Sequence, residues 1–281
     1  MRKKLEDRGE AVVQGKYLAT WAMKPLAVAA LIAGFALPLP ARAETPSQSC
    51  DAPMDLVRLV HPLSRVAHKI ALHETVTIVA IGSSSTAGAG ASSPANNYPS
   101  RLAGELKMRF PNQPFVVINR GVNGEEVGDM LKRFDTAVVA AKPDLVLWQI
   151  GTNSVIRDHV ITSHDTSIRD GLKKIRAVGA DVVLIDPQFA PKVIVKPEAE
   201  HMVKLIAMTA KREDVDLFRR YEVMKRWHEV NHQGFELFVA PDGLHMNDWG
   251  YACMARGLAM GIAEAAQRPV LSATAASHLT P

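Results

Sequence analysis

The sequence predicts an α/β fold, a three-layer α/β/α sandwich around a mainly parallel five-stranded sheet in a single domain. Three observations predict it. Near-continuous Val/Ile/Leu runs alternate with amphipathic stretches, the links between them are short, and no repeat or linker divides the chain. The β-type runs are Thr75–Gly82, Phe115–Asn119, Asp144–Gly151, Asp181–Asp186 and Glu236–Ala240. Their lack of apolar/polar alternation suits strands covered on both faces, as parallel strands are.

Helical patterns fill the gaps. A lead-in helix is expected over Met54–Ala71. Tyr98–Arg109 follows, with Asn97 as its cap and Pro99 in its first turn. Glu126–Ala141 stops before Pro143, and Ser167–Val178 ends at Gly179, a natural C-terminal stop. Glu198–Arg212, Arg219–Asn231 and Asn247–Ala266 complete the set, so the domain spans 74–268 behind a lead-in of 44–73, with a tail over 269–281.

Residues 1–43 have the layout of a secretory signal peptide. Basic residues precede the apolar run Pro25–Pro40, and Ala41-Arg42-Ala43 gives a small-x-small cleavage pattern. Met23-Lys24 opens a well-proportioned signal by itself, which makes Met23 a candidate start. The expected location is therefore periplasmic or secreted, with no stable membrane span after cleavage. The leader holds seven of the 33 Lys/Arg and three of the 29 Asp/Glu, so the remainder carries 26 of each and is neutral. A neutral domain lacks the basic footprint of a nucleic-acid binder. In an oxidising compartment the two cysteines, Cys50 and Cys253, can pair and fasten the mature N-terminus to the last helix.

Ligands of open parallel sheets bind beyond the carboxyl ends of the strands. Four groups fall there: Gly82-Ser83-Ser84-Ser85-Thr86-Ala87-Gly88, then Asn119-Arg120-Gly121-Val122-Asn123-Gly124, Gly151-Thr152-Asn153, and Asp242-Gly243-Leu244-His245. Together they hold what acyl transfer needs: a hydroxyl, an imidazole to take its proton, a carboxylate to orient that imidazole, and N–H donors for an oxyanion.

These four ordered groups resemble the blocks of the SGNH (GDSL) hydrolase superfamily, centred on Ser, Gly, Asn and His. The resemblance implies Ser84 as nucleophile, His245 as base and Asp242 as third triad member. It implies an oxyanion hole of the Ser84 N–H, the Gly121 N–H and the Asn153 side chain. It also implies an ester hydrolase that needs no cofactor, with an O-acetylated glycan or other short-acyl ester as substrate. Two positions depart from the pattern, for Ser83 stands where the first block has Asp and Ser154 where the third has Asp.

Two other readings compete. His228-Glu229-Val230-Asn231-His232 matches the H-E-x-x-H of zinc metalloproteases, in which two histidines share one helix face. The other is a non-catalytic domain of the same fold used for binding. The remaining histidines, His159 and His164 among them, read as surface or capping residues, and Trp249 as either cleft lining or packing for the last helix. The elbow pentapeptide G-x-S-x-G does not occur.

Overall fold

The computed structural model describes residues 50, 52–159 and 164–268. The leader and the tail lie outside the described residues. The chain enters through α1 (Met54–Val57) and α2 (Ser64–Ala71), separated where His61-Pro62 cannot continue a helix. The expected single lead-in helix is thus two. Then come β1 (Val76–Gly82), α3 (Ser84–Ala87), α4 (Tyr98–Arg109) and β2 (Phe115–Gly121). The Asn97 side chain accepts from Ser100 N–H at 2.9 Å and caps α4 as its sequence position predicts.

The expected helix 126–141 is broken into α5 (Val127–Lys132), α6 (Phe134–Ala137) and a 3₁₀ turn (Val139–Ala141). At the break, Arg133 reaches back to the Glu125 carboxylate and the Arg120 carbonyl. β3 (Leu145–Gln149), α7 (Thr152–Ile156), α8 (His164–Ala177), β4 (Asp181–Ile185), α9 (Pro191–Ile194) and α10 (Ala199–Arg212) follow. β5 (Asp216–Phe218), α11 (Arg220–Glu229), α12 (Phe235–Phe238) and α13 (Asp248–Gln267) end the described chain.

The sheet order is β2-β1-β3-β4-β5, parallel throughout. The reversal of direction at β1 puts the β1–β2 crossover, α4, on one face beside α13. The later crossovers α5, α8 and α10 pack against one another on the other face. Three layers result. β1, β3 and β4 supply the fully buried centre, with Ile78, Val79, Ile81, Leu145, Leu147, Trp148, Val183 and Leu184 at 0% exposure.

The fifth strand is not the one expected. Glu236–Ala240 does not pair in the sheet: Phe235–Phe238 forms one helical turn behind Gly234, and Val239 makes only an isolated antiparallel bridge to Met246. A four-residue apolar run has no periodicity to separate strand from helix. Here packing decides, since the Phe238 ring meets Trp227 edge-on at 5.5 Å. The sheet edge is taken by three residues, Asp216–Phe218, too short to stand out in the sequence.

Carboxylates at the amino ends of the strands tie the lead-in down. Asp144 accepts from Arg65 Nε and Thr77 N–H, Asp181 from Val66 N–H at 3.0 Å, and Asp216 from the N–H groups of Val60 and His61. Burial pushes the Asp181 carboxyl from the ordinary 3.8 up to about 6. The folded state then holds this proton to higher pH than the unfolded state does, so this group's contribution to stability falls as pH rises from about 4 to about 6. Asn at 181 still accepts from Val66 and carries no charge. The Tm difference between Asp181→Asn and wild type is expected to grow in the variant's favour across that window, by a few degrees at about pH 7, and to vanish near pH 3. Scanning calorimetry across pH checks this.

Cys50 and Cys253 form a disulfide with Cα atoms 5.1 Å apart, fixing the start of the described chain to α13. The segment after it lies against a small-residue face of that helix. A Cβ on Gly261 would sit 2.3 Å from the Val57 carbonyl, and one on Gly257 would sit 3.2 Å from the Val57 side chain. Among the described residues no helix is long and apolar enough to cross a membrane.

Candidate active site

β1 leaves the core at Gly82 and turns at once into α3, whose first residue is Ser84. The turn is held from below. Ser83 N–H and Ser83 Oγ donate to Gln149 Oε1 at 2.9 and 3.0 Å, and Thr86 Oγ1 reaches the same oxygen at 3.2 Å. Gln149 ends β3 and is buried. Its oxygen is an acceptor, so a hydroxyl at 83 fits where a carboxylate would meet it lone pair to lone pair. In the sequence Gln149 is marked only as a carboxamide closing an otherwise apolar strand.

Ser84 Oγ lies 2.8 Å from His245 Nε2, and His245 Nδ1 lies 2.5 Å from Asp242 Oδ2. The other carboxylate oxygen, Asp242 Oδ1, accepts the N–H groups of Leu244 and His245 at 2.9 and 3.0 Å. Partial burial works to raise the Asp242 pKa. The hydrogen bonds from the His245 ring and from these two N–H groups outweigh it and hold the carboxyl below its ordinary range. An ionised carboxylate only accepts, so the imidazole proton sits on Nδ1 and Nε2 is left to accept from Ser84.

Two neighbours hold this loop in place of the expected strand. Gln188, beyond β4, donates to the Leu244 carbonyl at 3.2 Å, and Lys192 N–H donates to the Gly243 carbonyl at 3.0 Å. On the nucleophile side, Ser92 N–H and Asn96 Nδ2 donate to Asp248 at the start of α13, at 2.8 and 2.9 Å. Tyr251 OH donates to the Ala89 carbonyl at 2.6 Å. The histidine loop and the nucleophile loop are thereby clamped together.

The donors for an oxyanion differ from the expected set at one position. Ser84 opens α3, so its N–H precedes the first intrahelical bond of that turn. Asn153 is buried on α7, and one of its two amide hydrogens goes to the Glu125 carbonyl at 2.8 Å. The Gly121 N–H, however, is taken by the Asn119 side chain at 2.8 Å. That corrects its expected role as a donor. Gly121 is needed for close approach instead, because a Cβ there would sit 2.1 Å from the Ala87 backbone nitrogen. Gly121→Ala is expected to push α3 off β2, costing about 1–3 kcal/mol of stability as overpacking does. A urea titration measures it.

Farther along the same loop, the N–H groups of Asn123 and Gly124 make no hydrogen bond to the described residues, and Gly124 is held at φ +80°. Gly124 adjoins Glu125, whose carbonyl receives the Asn153 carboxamide.

The H-E-x-x-H reading fails on helical register. α11 ends at Glu229, and His232 has left the helix with φ +54°, so His228 and His232 do not share a helix face. His228 stacks on Phe235 at 4.1 Å, and its Nδ1 lies 2.9 Å from the Gln233 carbonyl. Trp249 meets Trp227 edge-on at 5.2 Å, which places it in the packing of α13. His164, read as a surface or capping residue, is buried with its Nε2 2.6 Å from Ser154 Oγ.

Comparison with known proteins places the fold. A two-domain esterase active on acetylated mannans is similar with TM-score 0.63 and 17% identity, over 77% of this chain and 57% of that one. An acetylxylan esterase from Geobacillus stearothermophilus, solved as a catalytic mutant, gives 0.58 and 18% over 66% of this chain and 94% of its own. An alpha/beta hydrolase enzyme from the metagenome of Lake Arreo, Spain, gives 0.58 and 22% over 68% and 98%. In sequence, an acetylxylan esterase from Geobacillus stearothermophilus is 36% identical over 62 residues, which are 22% of this chain and 28% of that protein. Residues 49–268 match a family described as non-GDSL lipase-like. The family is described as non-GDSL, so the expected GDSL membership does not carry over as named, and Ser83 stands where that pattern's first block has Asp. The chain belongs to the non-GDSL lipase-like family.

Proposed function

We propose that the protein is an exported carboxylic-ester hydrolase of SGNH-like mechanism that removes short acyl groups, acetyl first, from carbohydrate. The single observation that carries the chemistry is the unbroken chain Ser84 Oγ, His245 Nε2, His245 Nδ1, Asp242, with both links at hydrogen-bond distance. A domain of this fold used only for binding has no need of that alignment. The substrate class rests on the similar esterases, whose printed activities concern acetylated mannan and acetylxylan.

In this reading Ser84 Oγ attacks the ester carbonyl as its proton passes to His245 Nε2. Asp242 keeps the imidazole in the tautomer that can accept and stabilises the imidazolium that forms. The tetrahedral oxyanion rests on the N–H of Ser84, the N–H of Gly124 and the second amide hydrogen of Asn153. His245 returns the proton to the departing sugar oxygen. It then deprotonates a water that attacks the acyl-Ser84 carbonyl, and the acid is released with the serine restored.

The test is acetate release from acetylated xylo- and manno-oligosaccharides, compared with p-nitrophenyl acetate and butyrate. The expected result is turnover of the acetyl substrates with a preference for acetyl over butyryl. No turnover of any of these esters, by a protein with a normal melting transition, would remove the enzymatic reading in favour of binding.

A further inference from the structure

Ser154 replaces an acidic residue directly after Asn153, yet the position is not without a carboxylate. Ser154 Oγ lies 2.9 Å from Glu126 Oε2, supplied across the cleft by the loop that carries Gly124. The same carboxylate receives Arg157 Nη1 at 2.8 Å on Oε1 and lies 2.9 Å from His159 Nδ1. All three partners stand on the segment that begins at Asn153. One residue nearer the donors, the Glu125 carbonyl receives Asn153 itself. The loop is braced from behind as well, where Arg133 Nε donates to the Glu125 carboxylate at 2.7 Å.

Hydrogen positions follow from this set. Burial works to raise the Glu126 pKa, but Arg157, His159 and Ser154 outweigh it and keep the group ionised. Glu126 therefore only accepts, Ser154 donates to it, and His164 Nε2 must carry a hydrogen to donate to Ser154. A chain from α8 through α7 ends on the loop of Gly124. An acidic residue at 154 would set a second carboxylate against Glu126, so a hydroxyl is the group that fits.

We propose that Glu126 is a positioning residue that clasps the loop of Gly124 to the segment of Asn153, so that the Glu125 carbonyl holds the Asn153 carboxamide with its second amide hydrogen turned to the oxyanion. The inference rests on the esterase reading above. Glu126 touches no substrate; it acts through the placement of the Asn153 carboxamide. Loss of the clasp weakens a contact made in the transition state, so it lowers kcat and leaves KM nearly unchanged.

The experiment compares wild type, Glu126→Ala, Glu126→Gln, Ser154→Asp and the transposed pair Glu126→Ser with Ser154→Asp, by kcat, KM and Tm on p-nitrophenyl acetate. Glu126→Ala is expected to lower kcat by about 10–100-fold with KM within about threefold, less than the loss from deleting a donor outright. Glu126→Gln keeps one acceptor oxygen but turns its NH₂ toward Ser154 or Arg157, and is expected to fall between wild type and Glu126→Ala. Ser154→Asp is expected to lose at least as much as Glu126→Ala, and the transposed pair to regain about tenfold over it, because one carboxylate again faces one hydroxyl. Wild-type kcat in Glu126→Ala, or a transposed pair no better than Ser154→Asp, overturns the clasp alone. Turnover that survives Ser84→Ala overturns the esterase reading and the clasp with it.

Discussion

Ser84→Ala is expected to lower kcat for acetyl-ester hydrolysis by about 10⁴-fold or more, with Tm within a few degrees of wild type. The size follows from the arrangement. Removing Oγ deletes the hydroxyl that lies 2.8 Å from His245 Nε2, while the hydrogen bonds that hold the turn come from Ser83 and Thr86. Ser83→Ala and Ser85→Ala are expected to keep the nucleophile, since Ser83 Oγ is committed to Gln149 and Ser85 is buried. Asp242→Asn adds a second mark of the same mechanism. Oδ1 of the amide can still accept from Leu244 and His245, so the loop keeps its turn. The amide NH₂ then faces His245 Nδ1 and forces the proton to Nε2, where it opposes Ser84. A loss near 10⁴-fold in kcat is expected, as for other triads that present the wrong tautomer. Initial rates across this variant set, with circular dichroism as a control on folding, measure both.

The second large effect concerns stability. Breaking the Cys50–Cys253 bridge opens a loop with a sequence separation of 203 residues. Chain entropy alone assigns such a closure about 5 kcal/mol. Cys50→Ala is expected to lower Tm by about 10–20 °C for a domain of this size. Reductant is expected to lower the Tm of wild type toward that of the variant and to leave the variant unmoved. The loops of the site are clamped by Asp248, Tyr251 and Gln188 rather than by the bridge. Activity below the lowered Tm should therefore stay within about twofold. Calorimetry with and without reductant checks the first part, and rates at low temperature check the second.

The strongly buried elements were legible in the sequence because burial on both faces leaves a compositional trace. β1, β3, β4 and the longer helices α4, α8, α10, α11 and α13 fall within a few residues of their expected bounds, as does the edge strand β2, although none of its residues is fully buried. β5 was not legible, for Asp216–Phe218 is three residues long and its identity as a strand comes from pairing with Val183–Ile185. Glu236–Ala240 looked like a strand for the opposite reason, an apolar run whose burial comes from aromatic packing. At the site, the residue types and their order were enough to single out Ser84, Asn153, Asp242 and His245, and the structure brings Ser84, Asp242 and His245 into one chain of hydrogen bonds. That the Gly121 N–H is taken was not legible, because it turns on the Asn119 side chain, which folds back on its own strand. Glu126 was equally hidden, since its meaning arises only when Ser154 and Arg157 arrive from α7.

The central claim is that Ser84, one of three adjacent serines, is the activated nucleophile. The most direct measurement is phosphonylation with a fluorophosphonate, followed by digestion and mass mapping of the peptide that contains Ser83, Ser84 and Ser85. The arrangement predicts one adduct per chain, on Ser84, abolished by His245→Ala and formed at the same pace as loss of ester turnover. An adduct on Ser83 or Ser85, or ester turnover that persists in fully labelled protein, would contradict it.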